Sequence, residues 1–304
     1  MAHPLLGGVL AAVLMPRDSH GNLDEQSLAA NLHFLLEKGI RQFAVNGATG
    51  EFCRVDPTEL RQMMQATMSH LPQGATVLCG VGAAGLQESL DLAQVAAEEG
   101  ATALLLPMPY FFPYSQDDLE AFAAAFAAAS PLPALLYNLP QFTSGLEVDT
   151  VLRLLRAHPN LMGVKDSSGS LDIMRALTQE RLPVSRIIGN DGALAQALRE
   201  GVCDGVVSGV ACVLPEVIQA LFVVTPEDEA FQTAANLLKE FIARIDVLPT
   251  PWGLKVIAES RDLAKATFSL PVSAVREGQI REIQRWFEGW LPEVCCTLSK
   301  VAVS

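Results

Sequence analysis

The chain has 304 residues, half of them apolar and 18% charged, enough to bury a large core and too apolar for a disordered segment. Its formal net charge of −13 excludes the basic footprint that binding a nucleic-acid backbone requires. Five scattered histidines and six cysteines without CxxC spacing imply no metal and no cofactor, and unpaired thiols are expected of a cytoplasmic protein.

The apolar start, residues 1–15, lacks the basic residues of a leader and reads as a first strand. Short runs rich in Val, Leu and Ile then recur, giving expected strands at residues 8–15, 42–46, 76–80, 103–106, 134–138, 162–165, 186–189 and 205–208. Amphipathic stretches alternate with them, among them residues 24–38, 57–69, 86–99 and 117–129. Asp, Ser or Pro opens several, and Gly39 and Gly100 close two where a left-handed cap favours glycine. The alanine-rich run at residues 121–129 is too short to span a bilayer, so no membrane partner is expected. Eight such units predict an α/β fold, a (β/α)8 TIM barrel over residues 1–224, with a doubly wound open sheet as the alternative. A dinucleotide-binding sheet wants GxGxxG after its first strand, whereas Pro16, Arg17 and Asp18 stand here. After Pro215 only helical patterns follow, at residues 215–222, 226–245, 252–259 and 272–289. Residues 225–304 are therefore expected to form a C-terminal helical extension packed on the barrel.

A barrel of this kind gathers its chemistry at the C-terminal ends of its strands. Lys165 closes the run LMGVK, where an amine aimed into the mouth would be desolvated toward nucleophilic form; read alone, it is equally a solvated strand end. Tyr137 closes ALLY, 28 residues upstream (165 − 137), about one βα unit, which puts phenol and amine on neighbouring strands. Schiff-base chemistry needs such a pair, because each of its steps moves a proton beside the substrate. The turn at Gly47, Ala48, Thr49 and Gly50 presents backbone N–H groups that can hold a carboxylate, or it is an ordinary strand-to-helix turn.

GATGEF at residues 47–52, LLLPMPYF at 104–111, YNLP at 137–140, GVKDSSG at 163–169 and PTPWGLK at 249–255 together resemble the dihydrodipicolinate synthase and N-acetylneuraminate lyase family over essentially the whole chain. The resemblance implies that Lys165 is the Schiff-base lysine and Tyr137 the proton shuttle. It implies that Ala48, Thr49 and Val207 hold the keto-acid portion of the substrate. Ser167, Gly189, Asn190, Asp191 and Ser208 would then meet the variable portion. Its implied partners are a 2-keto acid and an aldehyde, and its implied assembly a homotetramer or homodimer. Dihydrodipicolinate synthases usually carry a threonine where Ala48 stands and a tyrosine where Phe111 stands. They also carry an arginine shortly after the YNxP segment, where this chain has Gln141, Phe142, Thr143 and Ser144. Losing that guanidinium removes a charge-assisted contact of about 1.5–3 kcal/mol, so a Schiff-base lyase acting on a hydroxylated 2-keto-3-deoxy acid is expected, the alternatives being condensation of pyruvate with aspartate semialdehyde and a non-catalytic keto-acid-binding barrel.

Overall fold

In a computed structural model that describes residues 5–301, eight parallel strands close into a barrel in sequence order. The strands are β1 (Gly8–Ala12), β2 (Gln42–Val45), β3 (Thr76–Gly80), β4 (Ala103–Pro107), β5 (Ala134–Asn138), β6 (Leu161–Asp166), β7 (Ser185–Ile188) and β8 (Gly205–Ser208). The helices α1 (Glu25–Glu37), α2 (Pro57–His70), α3 (Leu86–Glu98), α4 (Gln116–Ala129), α5 (Val148–Ala157), α6 (Asp172–Gln179), α7 (Asp191–Glu200) and α8 (Pro215–Val223) follow the strands one by one. Closure comes from β1 pairing with β8, Gly8 against Gly205 through Ala11 against Ser208. The open-sheet alternative is thereby excluded.

Local chemistry explains the helix starts. Asp24 and Asp56 accept N–H bonds from Ser27 and Glu59, and Ser115 with Asp118 forms a reciprocal capping box. Gly39 and Gly100 adopt φ of +83° and +87° just beyond their helices, as expected for left-handed caps.

Two hydrophobic layers result from alternation along the strands. Leu10, Ala12, Leu78, Leu105, Leu135, Ile187 and Val207 fill the barrel, while Ala11, Val77, Leu104, Leu136 and Val206 pack outward under the helices. One strand breaks phase. The register of β6 on β5 shifts between Ala134 and Leu135, so that Ala134 pairs with Leu161 but Leu135 pairs with Gly163. Met162 packs inward and Val164 outward, and the slip returns Lys165 to the inner face, where strict alternation from Met162 would have turned it out. Only glycine fits the slip: Gly163 has φ of +153°, and a Cβ there would lie 2.1 Å from the Ser185 carbonyl oxygen.

Three further helices, α9 (Glu229–Ile245), α10 (Trp252–Ser260) and α11 (Ala274–Val301), follow the barrel. Phe241 of α9 packs against Trp286, Phe287 and Trp290 of α11, with ring centroids 5.9–6.3 Å apart. The last helix runs twelve residues past the expected end at 289 and contains Pro292. Its buried stripe of Ile283, Phe287, Trp290 and Val294 carries it through, packing outweighing the N–H that proline lacks.

Candidate active site

Lys165 and Tyr137 are direct partners in the β5–β6 ladder, and both are almost fully buried. The Lys165 Nζ lies 3.8 Å from the centre of the Tyr137 ring. One step outward the same ladder pairs Asn138 with Asp166, and the Asn138 amide donates to Asp166 Oδ1 at 3.0 Å. Burial pushes the Asp166 carboxyl up, against the pull of the Ser168 N–H and the Asn138 amide. This second pair ties the strand ends together behind the catalytic candidates.

Glycine makes room for the lysine. A Cβ on Gly189 would sit 2.8 Å from Lys165 Cε and 2.2 Å from Ser167 Oγ, so the β7 backbone must approach bare. Across the mouth, the built Cβ position of Gly47 is 4.0 Å from Lys165 Nζ, which brings the amine over the turn after β2. In that turn the N–H groups of Gly50, Glu51 and Phe52 bond back to Gly47 and Ala48 carbonyls. Among the described residues, those of Ala48 and Thr49 find no acceptor and remain free for an anion.

A cavity of about 390 Å³ opens above these groups. Ala48, Thr49, Tyr137, Lys165, Ser167, Gly189, Asn190, Asp191 and Val207 all line it. The sequence expectation for Ser208 needs correcting, because that residue is fully buried and does not line the cavity. Its hydroxyl accepts the Ala211 N–H at 2.8 Å, and its proximity favours the charged form of Asp191. The Asn190 side-chain oxygen is likewise committed, accepting the Gly192 N–H as the cap of α7.

Asp191 is the most perturbed acid of the cavity. Burial raises its carboxyl to about 6, opposed by the Ser208 hydroxyl, the Val210 N–H and the nearby Lys165 charge. Its Oδ1 is shielded from solvent without a hydrogen-bond partner, as is Ser167 Oγ. Among the described residues Lys165 is the one cationic side chain in the lining, whereas Asp191 and Asp246 are both acidic. Sequence reasoning missed the far wall, built by Ile242, Ile245, Asp246 and Leu248 from the end of α9 onward and by Pro249 to Leu254 leading into α10. The PTPWGLK stretch within it was visible only as a resemblance, since no local pattern indicates that it folds back over the mouth.

Comparison with known proteins agrees with this geometry. Residues 5–288 match the model of the dihydrodipicolinate synthetase family. A 4-hydroxy-tetrahydrodipicolinate synthase of Syntrophotalea carbinolica is 27% identical over 288 residues, covering 93% of this chain and 97% of its own. Its namesake in Stenotrophomonas maltophilia is 30% identical over 257 residues, covering 83% and 86%. Among solved structures, YagE of E. coli K12, crystallised with pyruvate, superposes with a TM-score of 0.85 at 22% identity, covering 94% of this chain and 99% of its own. The N-acetylneuraminate lyase of Mycoplasma synoviae gives 0.80 at 20%, covering 92% and 96%. With the barrel, the paired lysine and tyrosine and a family match that runs almost end to end, the chain belongs to the dihydrodipicolinate synthetase family.

Proposed function

We propose that this protein is a Schiff-base lyase that cleaves or dehydrates a 2-keto-3-deoxy sugar acid, with Lys165 as nucleophile and Tyr137 as its proton-transfer partner. The observation that carries the reading is the Lys165 amine, 3.8 Å from the Tyr137 ring centre at the floor of a cavity with no second cation among the described residues. Lys165 attacks the keto carbon, water leaves, and the protonated imine draws the electrons of the breaking bond. Tyr137 moves protons at the carbon beside the imine. The free N–H groups of Ala48 and Thr49, with Val207 across the mouth, take the keto-acid carboxylate end. Ser167, Gly189, Asn190 and Asp191 line the remainder, and their hydroxyl, amide and carboxylate groups suit a hydroxylated chain. Six free cysteines support a cytoplasmic location, and the exposed Phe111 and Phe112 support a homodimer or homotetramer.

A second reading, condensation of pyruvate with aspartate semialdehyde, is favoured by the names of the relatives above. Borohydride reduction with pyruvate should leave a stable adduct on the Lys165 peptide, and a folded protein without one refutes both readings. Turnover of a panel of sugar-derived keto acids against aspartate semialdehyde separates them. Efficient use of the semialdehyde would overturn the sugar-acid reading.

A further inference from the structure

The turn that presents the Ala48 and Thr49 N–H groups is bracketed by two residues in left-handed backbone conformation, neither of them glycine. Asn46 has φ of +55° and Glu51 has φ of +57°. Such residues are strained and persist only where their surroundings hold them. Each is held by a buried side-chain bond. The Asn46 amide donates to the Gly80 carbonyl at 2.8 Å. The Glu51 carboxylate takes the Lys255 ammonium at 2.5 Å, across 204 residues of chain. Both partners of that pair are more than nine-tenths buried, and Lys255 also donates to the Thr267 carbonyl at 3.0 Å. The other ion pairs of the described residues leave at least one partner more open to solvent.

Removing two charges from water costs more than a surface pair returns, so this pair is a poor device for stability alone. Its position suggests another use. Glu51 directly follows the turn, its own N–H bonds the Ala48 carbonyl, and Lys255 belongs to α10, whose start walls the cavity.

Resting on the Schiff-base reading above, we propose that Lys255 is a positioning residue: through Glu51 it holds the turn in the strained form that aims the Ala48 and Thr49 N–H groups at the substrate carboxylate. Catalysis at Lys165 then needs the pair only for binding, because Lys165 and Tyr137 are set by the β5–β6 ladder. The effect should fall on KM and leave kcat almost alone.

The test is a set of three variants, read by borohydride trapping at varied pyruvate concentration for half-saturation and by steady-state turnover of the sugar-derived keto acid that the parent uses for kcat. Lys255→Met should raise half-saturation at least tenfold while kcat stays within threefold. The double variant Glu51→Gln with Lys255→Met removes a buried carboxylate left with only the longer 3.4 Å contact to Arg54 and should recover stability, yet keep the raised half-saturation. Glu51→Gly with Lys255→Met supplies a residue that adopts the left-handed conformation freely, and should return half-saturation to within threefold of the parent. Recovery of binding together with stability in the Gln double variant would show a purely structural pair and overturn the proposal. So would an unchanged half-saturation in a folded Lys255→Met protein. Absence of any adduct in the parent instead defeats the Schiff-base reading itself, which keeps the two failures apart.

Discussion

Replacing Asp191 with asparagine should stabilise the protein, and by an amount that grows with pH. One carboxylate oxygen takes the Val210 N–H at 3.1 Å, but Oδ1 is sealed from water with no partner. Burial raises its pKa from 3.8 to about 6 in the folded chain. Below pH 3.8 the group is protonated in both states and contributes nothing. As pH rises the unfolded chain releases the proton first, so stability is lost between 3.8 and about 6 and the loss is complete above that. At 1.36 kcal/mol per decade the full cost is about 3 kcal/mol. Asparagine is neutral throughout, and whatever its amide gains or loses in hydrogen bonding does not change with pH. The stability gap between variant and parent should therefore widen by about 1–1.5 kcal/mol between pH 5 and pH 8. Urea unfolding of both proteins at the two pH values, followed by the fluorescence of Trp252, Trp286 and Trp290, measures it. A gap that is constant or narrows refutes a buried carboxylate held against its charge. The gain should be accompanied by weaker turnover of hydroxylated substrates, the expected exchange of stability for function at a residue proposed to bind them.

Two further substitutions probe the mouth. Gly189→Ala forces a methyl into Lys165 Cε and Ser167 Oγ, and should cost about 1–3 kcal/mol of stability and displace the amine, cutting borohydride trapping about a hundredfold with the far-UV CD spectrum unchanged; trapping at the parental rate would contradict the crowding. Phe142→Arg adds a second cation beside Lys165 to the lining, and should raise kcat/KM for carboxylate-bearing aldehydes about tenfold or more relative to neutral ones, measured as a ratio over matched substrates. An unchanged ratio would mean that position 142 does not face the distal half of the substrate.

Much of this protein was legible in one dimension. Runs of Val, Leu and Ile at regular spacing are what strands buried on both faces must look like, and eight of them leave few ways to fold. The separation of Tyr137 from Lys165 by one unit sufficed to place them on adjacent strands, since consecutive parallel strands in a barrel are neighbours. Boundaries were less legible: β1 ends at Ala12 rather than residue 15, and α11 continues through Pro292 because its aromatic stripe has a partner in α9.

What the chain alone did not reveal lies where distant segments meet. Strand periodicity by itself would point Lys165 out of the barrel, and the register slip that turns it inward exists only because Gly163 lies against the Ser185 carbonyl of the next strand. Ser208 is fully buried behind the cavity wall, its hydroxyl taken by the Ala211 N–H, and its place at a strand end did not show that. The wall from Ile242 to Leu254 and the bond from Lys255 to Glu51 join residues hundreds of positions apart. Periodicity records which face of an element is buried; what that face meets is decided by the packing of the whole chain.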